Sequence, residues 1–183
     1  MSRKDALLVI DVQVAMVEDD PNVHNVDNVL TAIRSLIDKS REASVPVVYV
    51  QHIEPEYARM QPGNAGFDVH PALAPTADDA FVHKRTRDSF YGTDLKNILE
   101  DLGATRLVVT GMQTEMCVSY TSRSAVSHGY DVTLVADGHT TSNRDNVTGQ
   151  QLIEIFNESF PEPEHPDRTV NVQPSAEIAF HTD

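Results

Sequence analysis

The chain has 183 residues and a mass of 20.2 kDa, which predicts a single domain covering residues 1–183. Its formal net charge is −14, which argues against nucleic acid or an anionic membrane surface as a partner. A single cysteine excludes an internal disulfide and a cysteine-based zinc cluster. The first apolar run has only five residues, too short for a signal peptide, so we expect a cytoplasmic protein. The dense negative charge also suggests a high-salt cytosol, with an ordinary acidic protein as the alternative.

Short apolar runs alternate with amphipathic stretches along the whole chain. The runs are typical of strands buried on both faces, and they cover residues 6–10, 47–50, 80–83, 106–110, 131–135 and 169–172. Apolar residues at helical spacing predict helices over 26–37, 95–102, 115–128 and 146–158, with a short last turn at 175. The proline-rich segment 54–79 predicts a long irregular loop, which in a compact domain is often functional.

This alternation predicts an α/β fold, a Rossmann-like three-layer α/β/α sandwich around a mostly parallel six-stranded sheet. An α+β arrangement with an antiparallel edge is the alternative. Parallel sheets bind ligands at the carboxyl ends of their strands. Asp11 directly follows the first predicted strand, Lys84 follows the third, and Cys117 lies seven residues beyond the fourth. We therefore expect a carboxylate, an amine and a thiol to meet at one edge of the sheet, where they could act as base, electrostatic partner and nucleophile.

The surroundings of Cys117 favour a reactive thiol. Thr114 is a plausible N-cap, which would place Cys117 in the first turn of a helix. There the helix dipole and nearby Lys84 would lower the pKa of the thiol, and the Cys117 N–H could face an oxyanion. Each residue also has a plainer interpretation, as a buried small apolar side chain, a turn aspartate or a solvated lysine.

Three ordered blocks, residues 6–13, 84–95 and 107–118, resemble the isochorismatase-like cysteine hydrolases, which include nicotinamidases and N-carbamoylsarcosine amidohydrolases. The resemblance implies a catalytic triad of Asp11, Lys84 and Cys117. In such a triad the thiolate attacks a carbonyl carbon, the aspartate carries the proton and the lysine holds both anions. The implied reaction cleaves a C–N bond of a small amide or ureido-type substrate through a thioester, without a cofactor.

The resemblance also implies features of the substrate pocket. These are a cis peptide bond between Met112 and Gln113, and an oxyanion hole formed by the backbone N–H groups of Gln113 and Cys117. The matching pocket-lining positions are Gln13 and Phe90, with neighbouring Tyr91 and Met116 as weaker candidates. Core packing or a subunit contact is the alternative for the two aromatic residues. Relatives form homodimers or homotetramers, so we expect a homo-oligomer whose partner is a second copy of the chain.

The chain departs from nicotinamidases where those proteins bind a divalent metal ion. They carry Asp-x-His after the second strand, whereas this chain has Val50-Gln51-His52, and His70 completes no carboxylate–histidine set. We therefore expect no metal, expect His52 to be a pocket or loop residue, and regard nicotinamide as a less favoured substrate. An anionic substrate could contact arginines that are more simply interpreted as solvated surface, namely Arg85, Arg87 and Arg123.

Other functions remain open at this level. The same fold could hydrolyse a vinyl ether, as isochorismatases do, or serve as a non-catalytic or redox thiol protein. Cys117 could alternatively pair with His139, which follows the fifth predicted strand, with Asp137 nearby.

Overall fold

The computed structural model describes residues 3–161 and 167–182. Its centre is a six-stranded sheet of order β3-β2-β1-β4-β5-β6, in which every neighbouring pair is parallel. The strands are β1 (Asp5–Ile10), β2 (Val47–His52), β3 (Ala80–Lys84), β4 (Arg106–Met112), β5 (Asp131–Thr140) and β6 (Val170–Gln173). The α-helices are α1 (Val14–Glu18), α2 (Val26–Glu42), α3 (Leu95–Asp101), α4 (Ser119–Ser127) and α5 (Gly149–Ser159). The predicted α/β fold with a parallel sheet is confirmed.

Helices cover both faces of the sheet because the central strands are apolar on both sides. All six residues of β1 are buried. Leu8 belongs to the apolar core that includes Leu95 and Leu99 of α3, while Leu7 belongs to the opposite core, which includes Ile33 of α2. Three layers result, and the two cores hold the helices against the sheet. None of the helices in the described ranges is both long enough and apolar enough to cross a membrane.

The predicted irregular loop at 54–79 is present, with two short 3-10 turns at Ala58–Met60 and Pro71–Leu73. It folds back onto the carboxyl end of the sheet, where Val69 forms an isolated antiparallel bridge with Gln13. Phe67 and Leu73 bury their side chains, so the loop is packed against the domain rather than extended into solvent.

The predicted helix over 115–128 is wrong at its beginning. Residues Thr114–Val118 form a π-helical turn with non-helical backbone angles at Met116 (φ −107°, ψ −111°), and the α-helix α4 begins only at Ser119. Thr114 does not cap it, because its buried hydroxyl lies 2.8 Å from Nδ1 of His139 instead. The buried hydrogen bond explains why a local capping pattern fails here.

Candidate active site

Three side chains from distant parts of the sequence meet at the carboxyl edge of the sheet. Asp11 directly follows β1, Lys84 ends β3, and Cys117 lies in the π-helical turn after β4. Lys84 Nζ donates to Asp11 Oδ2 at 2.7 Å and to Cys117 Sγ at 3.1 Å. Asp11 and Lys84 are 0% and 1% exposed and Cys117 is 8% exposed, so the charges interact away from bulk water.

A close contact between the two central strands brings these groups together. Gly111 has φ +124°, and a Cβ there would lie 2.1 Å from the carbonyl oxygen of Ile10. No other residue fits without displacing the backbone. The glycine therefore lets β4 approach the end of β1 where Asp11 begins, itself in the left-handed region at φ 53°.

Lys84 is surrounded by more acceptors than its ammonium has protons. Besides Asp11 and Cys117, Nζ lies 3.0 Å from the carbonyl oxygen of Thr86 and 3.3 Å from Nδ1 of His52. Burial lowers the pKa of Lys84, but the attraction of Asp11 and Cys117 outweighs it, and the net pKa is raised. Lys84 therefore remains a cation at neutral pH.

The expected low thiol pKa is wrong. Burial, together with the negative charge of Asp11, raises the pKa of Cys117 to about 12, although Lys84 opposes this shift. The resting site thus holds a neutral thiol beside a charged Asp11–Lys84 pair. Oδ1 of Asp11 is buried and has no hydrogen-bond partner among the described residues, so this oxygen is a vacant proton acceptor.

The backbone before the cysteine has the geometry that the resemblance implies. The peptide bond between Met112 and Gln113 is cis. Within the described ranges the Gln113 N–H donates to no other group, while its carbonyl oxygen accepts from the N–H groups of Met116 and Val118. The Gln113 side chain is held by Ser142, to whose Oγ its Nε2 donates at 3.0 Å. The N–H that we predict for an oxyanion hole is therefore available.

The side chain of Gln13, a predicted pocket residue, bonds to the protein backbone. Its fully buried side chain donates to the carbonyl oxygens of His52 and Phe67 at 3.1 and 2.9 Å, and its Oε1 accepts from the His52 N–H at 2.7 Å. Backbone groups thus use both ends of the amide, which ties the loop to β2. A side chain that satisfies buried backbone groups in this way is not free to bind substrate.

The other predicted pocket residues do not share one surface. Phe90 is buried, with its ring centroid 4.7 Å from that of His128 and 6.0 Å from that of Tyr130. Tyr91 is 71% exposed. Met116 is partly buried against the core that contains Cys117. Phe90 belongs to this same core, in agreement with the alternative of core packing.

The structure excludes the Cys117–His139 pair. Nδ1 of His139 lies 2.8 Å from Thr114 Oγ1 and Nε2 lies 2.9 Å from Asn157 Oδ1, so both ring nitrogens have partners other than the thiol. Burial lowers the pKa of His139 to about 4, which keeps the ring neutral. Asp137 instead accepts hydrogen bonds from Ser175. His139 is thus a structural residue.

Two residues contact Lys84 in ways that the sequence did not predict. His52 was expected in a pocket or loop, yet it ends β2 and pairs in register with Lys84 of β3. Thr86 contributes only its carbonyl oxygen, which residue type does not reveal. The parallel register of the two strands is the signal that would have placed His52 next to the lysine.

The remaining histidine and arginine candidates lie in separate environments. His70 accepts from the Ala72 N–H through Nδ1, and in residues 3–161 and 167–182 no three or more His, Cys, Asp or Glu side chains are grouped to hold a metal ion. Arg87 lies over the ring of Tyr120, 5.7 Å from its centroid, and Arg85 is exposed.

Comparisons with known proteins identify the family to which the chain belongs. An isochorismatase domain model matches residues 5–158. A streptothricin hydrolase from Streptomyces noursei is 38% identical over 136 residues, covering 74% of this chain and 54% of that protein. The chain spans about half the length of the two streptothricin hydrolases that it matches, with 54% and 49% covered.

Two further matches extend over most of both proteins. The isochorismatase family protein YddQ from Bacillus subtilis is 35% identical over 145 residues, covering 75% of this chain and 78% of that protein. The crystal structure of an isochorismatase from Pseudomonas putida KT2440 superposes with a TM-score of 0.84 at 25% identity, covering 98% of this chain and 93% of that one. Together with the domain match, these relatives show that the chain belongs to the isochorismatase family.

Proposed function

We propose that the protein is a cysteine hydrolase that cleaves a C–N bond in a small amide or ureido-type substrate. One observation carries the proposal: the buried ammonium of Lys84 bridges the carboxylate of Asp11 and the thiol of Cys117, at 2.7 and 3.1 Å. A nucleophile, a proton acceptor and a fixed positive charge are then within reach of one another. The similarity to a streptothricin hydrolase supports hydrolysis.

In the first step, the neutral thiol of Cys117 loses its proton to the vacant Oδ1 of Asp11. Its sulfur forms a bond to the substrate carbonyl carbon, and the carbonyl π electrons move to oxygen. The N–H groups of Gln113 and Cys117 are the proposed donors to this oxyanion. Lys84 offsets the negative charge that develops during the transfer, so proton loss and attack occur together despite the raised pKa of the thiol.

In the second step, the tetrahedral intermediate collapses and the C–N bond breaks. The protonated Asp11 gives its proton to the leaving nitrogen, which departs as ammonia or an amine. A thioester remains on Cys117. Water then attacks the thioester carbon while Asp11 takes a proton from it. The C–S bond breaks, the acid is released, and Asp11 returns the proton to the sulfur of Cys117.

The test is hydrolysis of a panel of carboxamides and ureido compounds, with a vinyl ether included. We expect release of ammonia or amine, and a thioester adduct by intact mass, from the unmodified protein. Replacement of Cys117 by Ala or Asp11 by Asn should abolish both signals. Asp137→Asn is the matched control, because that carboxylate binds Ser175 rather than the triad. Hydrolysis of the vinyl ether alone, unaffected by Cys117→Ala, would overturn the proposal.

A redox role is less well supported by the same geometry. Thiols that sense peroxide are exposed and have a low pKa, whereas Cys117 is 8% exposed and its pKa is raised to about 12. The thiolate is stabilised here only when its proton passes to the carboxylate of Asp11. This coupling suits acyl transfer.

We also propose that the protein works as a homodimer or homotetramer. Tyr91 and Tyr120 are 71% and 50% exposed, and large aromatic side chains are enriched at interfaces. Light scattering after gel filtration should give a multiple of the 20.2 kDa chain mass. A monomer at assay concentration would contradict this expectation.

A further inference from the structure

His52 is held beside the triad by its own backbone. It ends β2 and is the register partner of Lys84 at the end of β3. The side-chain amide of Gln13 bonds both its N–H and its carbonyl oxygen, at 2.7 and 3.1 Å. These two bonds fix the backbone that carries the imidazole beside Lys84.

The ring of His52 faces a cation on one side and a carboxylate on the other. Its Nδ1 is 3.3 Å from Lys84 Nζ, and its Nε2 is 3.6 Å from Oε2 of Glu54. Because an ammonium is only a donor, Nδ1 must be the acceptor. The neutral tautomer with its proton on Nε2, directed at Glu54, fits both neighbours.

The ammonium has three N–H bonds, but four acceptors lie within 3.3 Å of it. Those acceptors are Asp11, Thr86, Cys117 and His52. A neutral thiol is a weak acceptor, so in the resting site the thiol sulfur at 3.1 Å and Nδ1 of His52 at 3.3 Å share the third N–H. When the sulfur becomes negative, the same N–H can pass to it with little movement of the lysine.

We propose that neutral His52 is a positioning residue, which holds Lys84 in place until the thiolate forms and disables the site when it is protonated. The inference rests on the proposed function, since it assigns His52 a part in the same triad. A protonated imidazole has no acceptor at Nδ1 and would place a second positive charge 3.3 Å from Lys84. The lysine would then be displaced from the thiol.

The charges around His52 determine the pH range of this effect. Burial and Lys84 of β3 lower its pKa, while Asp11 beyond β1 and Glu54 of its own loop oppose them, and the net pKa lies below the ordinary 6.5. Cys117 on the π-helical turn is neutral at rest. His52 is therefore neutral at pH 7, and activity is lost as the pH falls through its ionisation.

Two substitutions of His52 distinguish the effect of its acceptor nitrogen from the effect of its positive charge when protonated. His52→Asn keeps an acceptor oxygen near the place of Nδ1 but cannot titrate, and His52→Leu removes the acceptor. We expect His52→Leu to lower kcat on the order of 10²-fold with little change in KM, as misplaced catalytic groups do. His52→Asn should keep most of kcat, with the acid limb of its pH profile moved to lower pH. Equal kcat in both variants, or an unmoved acid limb in His52→Asn, would overturn the inference.

A measurement without substrate separates this inference from the proposed function. The pH titration of the His52 imidazole, followed by NMR, should move upward in Lys84→Met and downward in Asp11→Asn, because these charges lower and raise its pKa respectively. No movement in either variant would refute the contact. If Cys117→Ala and Asp11→Asn keep full activity, the proposed function fails. If they are inactive while His52→Leu is unimpaired, only the role of His52 fails.

Discussion

Replacing Lys84 by Met should destabilise the protein far more than removal of an exposed lysine. Both side chains of the Asp11–Lys84 pair are 0% exposed, and their charged atoms are 2.7 Å apart. Met has a similar length but leaves the Asp11 carboxylate buried without its cation. Breaking a buried pair from one side costs about 3–5 kcal/mol, a large fraction of the roughly 5–15 kcal/mol that stabilises a typical domain.

Urea denaturation followed by circular dichroism measures this loss. With a slope of about 2 kcal/mol per molar urea, the midpoint should fall by roughly 2 M. The double variant Lys84→Met with Asp11→Asn should regain part of the loss, because the unpaired charge is gone. Lys96→Met is the matched control, since its pair with Glu100 is exposed and 3.7 Å long. A shift no larger than that of the control, or a double variant no more stable than Lys84→Met, would refute the reasoning.

Two further outcomes follow from the geometry of the site and one from the net charge. In the Asp11→Asn variant, iodoacetamide should alkylate Cys117 faster at pH 8 than in the unmodified protein, because the charge of Asp11 raises the pKa of the thiol. The same variant should lose hydrolysis. Slower labelling would show that Asp11 does not oppose the thiolate. Gly111→Ala should unfold at lower urea and lose activity, since its Cβ would lie 2.1 Å from the carbonyl oxygen of Ile10; normal stability would mean that the strands can separate there. The midpoint of thermal unfolding should rise between about 0.1 and 1 M KCl, because salt screens the repulsion expected from a net charge of −14. A flat or falling midpoint would refute the hypothesis of a high-salt cytosol.

The strands could be predicted because burial on both faces leaves a direct trace in the sequence. The apolar run at 6–10 is a strand with both faces covered, and its alternate residues lie in opposite cores. The end of β5 left no such trace. Its residues Ala136, Asp137 and Gly138 lie where the register with β4 shifts, between Leu134 and His139, and this short stretch has no continuous apolar run to indicate a strand.

The meeting of Asp11, Lys84 and Cys117 could be anticipated from their places after parallel strands, although their catalytic roles stay predictions. The charge state of the Cys117 thiol could not be anticipated, because it depends on how completely the three groups are removed from water. The role of Gln13 was also hidden, since it depends on where the loop at 54–79 returns to the sheet. Local patterns predict elements well and long-range contacts poorly.

The order of the strands also divides the site between two halves of the chain. The first half supplies β3, β2 and β1 with both charged groups, and the second supplies β4, β5 and β6 with the nucleophile. Gly111 lies at the seam between the halves, against Ile10. A slight opening of this seam would part the thiol from its proton acceptor while leaving each half intact. The hydrolysis proposed for Cys117 is therefore tied to closure between β1 and β4, because a loosened molecule holds the thiol apart from the carboxylate that takes its proton.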